Sequence, residues 1–169
     1  RVLFRSQQHY KNLNDKFMLS STLKGLVIHT AKEAGNAPGP DYMYGWGLLD
    51  ASKAAKLISK DGSDTFYITE DTLFEQSTNE SSLFLEENSE VKITITWTDP
   101  AGSPEVTPKL DPETIKLVHD LDIKVISPSG VEHFPWIIDP ETKIVITGDN
   151  FRDNVEQIQF TAQETGEYK

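Results

Sequence analysis

The chain contains no cysteine. That excludes disulfides, thiolate zinc sites and a cysteine nucleophile, and leaves the cellular compartment open. Positive charge is scarce: 16 Lys and Arg stand against 27 Asp and Glu, for a formal net charge of −11. An acidic surface of this kind attracts neither nucleic acid nor anionic membranes, so neither is expected as a partner. It suits solubility and the binding of cations. Long apolar runs are missing as well. No window approaches the roughly twenty apolar residues of a membrane span, and residues 1–6 lack the apolar core of a signal peptide. Hydrophobic residues make up 37% of the chain, which is modest but enough for a core. No internal repeat or low-complexity tract stands out. The 169 residues suffice for one domain or two small ones.

What is present divides at a change of period. Residues 1–14 read as the tail of a helix, with a partial apolar stripe at Leu3, Tyr10 and Leu13. Ser20 or Ser21 is placed to cap a second helix. Its buried face is predicted from Leu23, Leu26, Val27, Thr30 and Ala31, at i, i+3, i+4, i+7 and i+8. Pro38, Gly39 and Pro40 break that pattern. Gly45 and Gly47, on either side of Trp46, call for positive φ or close backbone contact. Asp50 then reads as the N-cap of a third helix with Ala51, Ala54, Ala55 and Ile58 inward, and Gly62 as its left-handed C-cap.

After Gly62 the period becomes two. Short strands are expected over residues 65–69, 73–76, 90–98, 117–126, 131–138 and 143–147, with a further one marked by Ile158, Phe160 and Ala162. The clearest is 90–98, with Val91, Ile93, Ile95 and Trp97 on one face and Lys92, Thr94 and Thr96 on the other. Over 117–126, Leu121, Ile123 and Val125 point inward. The segment 103–113, with Pro104, Pro108 and Pro112, reads as a surface loop, and Ser127-Pro128-Ser129-Gly130 as a hairpin turn. The fold class is therefore α + β in two parts: helices over residues 1–61, then an antiparallel β-sandwich or jelly roll over 62–169.

Two stretches carry a resemblance. STLKGLVIHTA at residues 21–31 is followed by Gly39, Asp41, Tyr42, Tyr44, Gly45, Gly47, Leu48, Leu49, Asp50 and Ala51. This order resembles the C-terminal end of a subtilisin-family serine peptidase domain. TWTDPAG (96–102), LVHDLDIKV (117–125), FPWIIDP (134–140) and GDNFRDNVEQI (148–158) resemble the β-sandwich that follows the catalytic domain in one branch of bacterial secreted subtilases. That sandwich is similar in outline to the P-domain of proprotein convertases. The family has asparagine before Asp-Leu-Asp, where this chain has His119.

The resemblance implies a secreted, extracellular bacterial serine endopeptidase that cleaves peptide bonds, of which this chain holds only the closing part. It implies a peptide or protein substrate for the parent and a missing catalytic portion on the amino side. QQHYKNLN at residues 7–14 resembles the outer end of the helix that starts at the family's catalytic serine. Residues 1–6 fit that helix poorly and read as foreign to it. The last residues, 166–169, resemble the start of a final strand. The alternative is a non-catalytic β-sandwich module for binding or adhesion.

No residue of this chain is expected to be catalytic. No serine stands in a Gly-Thr-Ser context, and His9, His29, His119 and His133 lack the family's histidine motif. His29 reads as a hydrogen-bonded structural histidine rather than a general base. The chemistry that the residues themselves offer is cation binding. Asp120 and Asp122 alternate onto one side of a strand, and Asp149 and Asp153 lie in a turn with Asn150, Asn154 and Glu156. Hard cations take several oxygen ligands, so Asp120, Asp122, Asp149 and Asp153 are the candidate calcium ligands if strand and turn meet. The competing reading pairs these acids with Lys124 or Arg152 and closes an Asx turn. Trp97, Phe134 and Trp136 offer either core packing or an exposed aromatic face for carbohydrate or collagen-like substrate. The sandwich can also act as a buttress alone.

Overall fold

The computed structural model describes residues 2–61, 67–107, 110 and 114–169. Three helices come first: α1 (Val2–Asn14), α2 (Ser20–Thr30) and α3 (Ala51–Lys60). They share a core of Tyr10, Met18, Leu26, Ala54 and Ile58, with Leu23, Leu57 and Ile68 packed against it. Ala54 and Ile58, one helical turn apart, are the part of the expected stripe that α3 buries, while Ala55 is half-buried and Ala51 is exposed. Asp50 caps α3 as its residue type dictates, with Oδ1 accepting from the Lys53 amide at 2.9 Å. At the other end Asp61 is the C-cap, in extended backbone. Gly62, the expected left-handed cap, lies outside the described residues.

Helix α2 starts differently from the expectation. Neither Ser20 nor Ser21 caps it; Leu19 holds the N-cap position with no side-chain bond. The role passes to Glu70, a carboxylate 51 residues away. Its Oε1 accepts from the Leu19 amide (2.9 Å) and the Thr22 hydroxyl (2.7 Å), and its Oε2 meets Lys16 Nζ at 3.1 Å. Partial burial works to raise the Glu70 pKa, but these donors outweigh it and hold the carboxyl below its usual range. An anion at a helix N-terminus also faces the favourable end of the helix dipole.

The glycine-rich link folds back on itself. Lys32 and Leu48 exchange both backbone hydrogen bonds at 2.8 Å, and Asp41 pairs with Gly45. Gly39, Gly45 and Gly47 all have positive φ. Gly47 is the most constrained, because a Cβ there would sit 2.4 Å from the Lys32 carbonyl oxygen. Gly47→Ala is expected to cost about 2 kcal/mol or more, read as a lowered urea midpoint.

Eight short strands follow among the described residues, and they pair antiparallel in twos. The pairs are β1 (Leu83–Leu85) with β8 (Gly166–Tyr168), β2 (Glu90–Thr96) with β7 (Val155–Thr161), β3 (Val125–Ile126) with β4 (Glu132–His133), and β5 (Trp136–Ile138) with β6 (Val145–Thr147). Ile126 and Lys169 exchange backbone bonds of 2.8 and 3.0 Å, which bring the ends of β3 and β8 together. A second core of Val125, Ile158, Ala162 and Tyr168, with Leu85, Ile93, Ile123 and Phe160 around it, draws on the first three pairs; β5 and β6 give it no residue.

Several expected strands are shorter or absent, each for a local reason. Over 117–126 only Val125 and Ile126 join a ladder. Upstream, side chains take the amides a neighbouring strand would need: Asp99 accepts from Val118 and His119, and Glu156 accepts from Ile123. The run 131–138 splits into β4 and β5 at Pro135, which has no amide to donate. Residues 73–76 form a turn closed by the Ser77 amide on the Phe74 carbonyl, with Gln76 at positive φ. Of the strand expected over 65–69, residues 65 and 66 lie outside the described residues, and 67–69 join no ladder. The turn at residues 127–130 forms as read.

Strand β2 is covered on both faces, although its alternation predicts one wet face. The threonine side lies under α2. Thr96 Oγ1 donates to the Ser21 carbonyl at 2.8 Å, and His29 Nδ1 meets Thr94 Oγ1 at 3.0 Å. Gly25 is what lets the helix come this close, since a Cβ there would stand 2.7 Å from Thr96 Oγ1. The Val91 side faces the second core.

Candidate metal centre

Two segments distant in sequence build the site. The segment leading into β3, residues 117–124, joins no ladder. It is pinned by Asp99 on the Val118 and His119 amides and by Trp97 Nε1 on the His119 carbonyl at 2.9 Å. This places Asp120 and Asp122 on one side. The loop after β6 brings Asp149 to them. One oxygen from each of Asp120, Asp122 and Asp149 lies within 4.8 Å of the others, and all three residues are exposed. They form a candidate metal-binding site with an all-oxygen donor set, which suits calcium.

The loop holding Asp149 is itself ordered by a buried amide. Asn150 donates to the Val155 carbonyl at 3.2 Å, and its Oδ1 accepts from the amides of Arg152 and Asp153 at 3.2 and 3.3 Å. This is the Asx turn that the sequence allows. Turn and acidic cluster coexist here, so the two readings of these residues are not alternatives. Asp153, the fourth candidate ligand, stands apart from the group of three. Its carboxylate accepts from Asn150 Nδ2 at 3.4 Å, and its charge is felt by Lys24. Lys124 is taken by Glu132 at 2.7 Å.

Glu156, grouped with the turn residues in the sequence, is not in the turn. It sits on β7 with 1% exposure. Its Oε2 accepts from the Ile123 amide at 2.8 Å, next to Asp122, while Oε1 is buried with no hydrogen-bond partner among the described residues. Burial pushes its carboxyl up to about 7; the Ile123 and Asn150 amides oppose this, and the charges of Asp122 and Asp120 reinforce it. The same crowding acts on the triad. Burial and then Asp149 raise Asp120, while burial, a hydrogen bond with Asp149 and the neighbouring charges raise Asp122. Carboxyl groups that repel one another and disfavour ionisation are matched by a divalent cation, which reverses both effects. A buried carboxyl oxygen without a donor is the observation that fits a cation best. A glutamate inside a hydrophobic strand was the available signal, since such a residue is buried only when something offsets its charge.

Two of the histidines lie against hydroxyl groups. His9 Nε2 lies 2.8 Å from Ser59 Oγ, but the Ser59 hydroxyl donates to the Ala55 carbonyl, so the imidazole is the donor of this contact. His29 is held on Thr94 as a structural group, with its pKa lowered by burial and then by Lys92. Of the aromatic residues, Trp97 is tied to His119 and Trp136 packs against Gly39, while Phe134 is 40% exposed. Among the described residues, no helix is long and apolar enough to cross a membrane.

No protein-family model matches the chain, and no curated protein matches it.

Proposed function

We propose that this chain is a calcium-stabilised, non-catalytic module of a secreted subtilisin-like serine endopeptidase: the closing helices of the peptidase domain and the β-sandwich that follows. The observation that carries the chain's own role is the meeting of Asp120, Asp122 and Asp149 beside the buried, unpartnered Glu156 oxygen. The parent activity rests on the motif resemblance over residues 21–51 and 96–158. The β1–β8, β2–β7 and β3–β4 pairs are read as one sandwich because each gives residues to the second core and because Ile126 and Lys169 link β3 to β8. Exposed Leu3, Phe4, Leu13 and Phe17 on the first part, and Tyr42, Met43, Leu48 and Leu49 on the link, support a covering layer from the rest of the parent.

In this reading the bound cation draws the acidic loop, the 117–122 segment and β7 together. It supplies positive charge where three carboxyl groups converge beside Glu156, and no bond is made or broken there. The reading is tested with a serine-directed fluorophosphonate. The 169-residue chain is expected to take up no label, and the product of the complete reading frame is expected to label at a single serine. Labelling of the chain alone overturns its non-catalytic role, and a complete product that stays unlabelled overturns the peptidase assignment.

A further inference from the structure

A second site lies on the opposite side of β2 from the second core. Between α2, α3 and β2 opens a cleft of about 560 Å³, within the range of small-ligand sites. Its lining is basic in a chain of net charge −11. Lys53, Lys56 and Lys60 project from one face of α3, at i, i+3 and i+7, and Lys92 faces them from β2. Only Glu33 and Glu90 oppose these four ammonium groups in the lining. None of the four lysines has an ion pair among the described residues, while Lys16, Lys116 and Lys124 each have one elsewhere.

We propose that this cleft binds a small oxyanion carrying at least two negative charges. Lys92 is the anchor. It is half-buried, and its ammonium is disfavoured by burial first and by the charge of Lys53 second, with Glu33 giving partial relief. Converging like charges at a partly dehydrated site are a standing cost that a bound dianion removes, and the reduced hydration makes each contact stronger than at an open surface. Trp46 and Leu57 form the apolar part of the wall. His29 adds a further donor: its Nδ1 is held by Thr94, and its Nε2 has no hydrogen-bond partner among the described residues. The volume accommodates a phosphate group or a short dicarboxylate with room for a modest substituent.

The test is calorimetric titration of the metal-free chain with inorganic phosphate and, separately, with succinate, at constant ionic strength in sodium chloride. At least one is expected to bind saturably with a Kd of about 1 mM or tighter, and which one does so identifies the anion as phosphate-like or carboxylate. Lys92→Met is expected to weaken that binding tenfold or more, and Lys53→Gln severalfold. Lys11→Gln, outside the cleft, is expected to leave it unchanged. Lys53 is exposed on the helix surface, so its variant stays informative if Lys92→Met does not fold. Heats that never saturate with either anion, or binding indifferent to both Lys92→Met and Lys53→Gln, overturn the proposal.

Discussion

Calcium at a hundredfold excess over its Kd is expected to raise the unfolding midpoint of this chain by about 5–10 °C. The magnitude follows from linkage. A ligand that binds only the folded state at that excess adds about 2.7 kcal/mol, and a domain of this size moves by about 2–4 °C per kcal/mol. The candidate ligands sit on residues 120, 122 and 149, which are brought together only by folding, so the unfolded chain competes weakly. Asp122→Asn separates the two roles of the acidic cluster by sign. Without metal it relieves the repulsion between Asp122 and its neighbours, so the midpoint should rise by about 2–4 °C. With calcium it removes a ligand, so most of the calcium-dependent gain should vanish. Asp153→Asn, outside the group of three, should keep that gain. A midpoint indifferent to calcium in scanning calorimetry removes the metal site from the account.

The metal-free chain is expected to become less stable as the pH rises from about 4.5 to above 7. Glu156 carries its proton up to about 7 when folded, against an ordinary value of 4.5. Between those values the folded state holds a proton that the unfolded state has released. Its contribution is therefore complete below 4.5 and is lost as the pH passes 7. The raised values of Asp120 and Asp122 act in the same sense. For Glu156 alone the change is about 3 kcal/mol, measurable as urea midpoints across the range in metal-free buffer. Glu156→Gln keeps an acceptor for the Ile123 amide and has no charge to bury, so it should flatten most of this slope. It should also weaken calcium binding, because an amide oxygen replaces a carboxylate. A wild-type chain whose stability is level between pH 4.5 and 8 without metal would show that Glu156 titrates normally.

Much of the helical part was legible in the sequence because its signals are local. Asp50 caps α3, Ala54 and Ile58 are buried, and Gly45 and Gly47 take positive φ, each for a reason contained within a few residues. The start of α2 was not legible, because its cap is supplied by Glu70 from 51 residues away. The strands failed in the same way. The alternation over 117–126 is real, but a ladder also needs free amides, and Asp99 and Glu156 occupy those of Val118, His119 and Ile123. The acidic site was half visible. Spacing placed Asp120 and Asp122 together and composition pointed to Asp149, while the division between Asp149 and Asp153 depended on how Asn150 folds the loop. Glu156 was counted with the turn residues. Only the structure sets it on β7, facing inward beneath them.

The bond from Lys24 to Asn154 has a mechanical consequence. Lys24 reaches from α2 to the carbonyl and side-chain oxygens of Asn154. The Asn154 amide nitrogen in turn donates to the Trp97 carbonyl at 2.7 Å. Two residues further along the chain lies Glu156. Asn154 alone thus ties the helix on one side to the end of β2 on the other. A fluctuation that lifts the helix is therefore felt first at Asn154, at the threshold of the acidic loop.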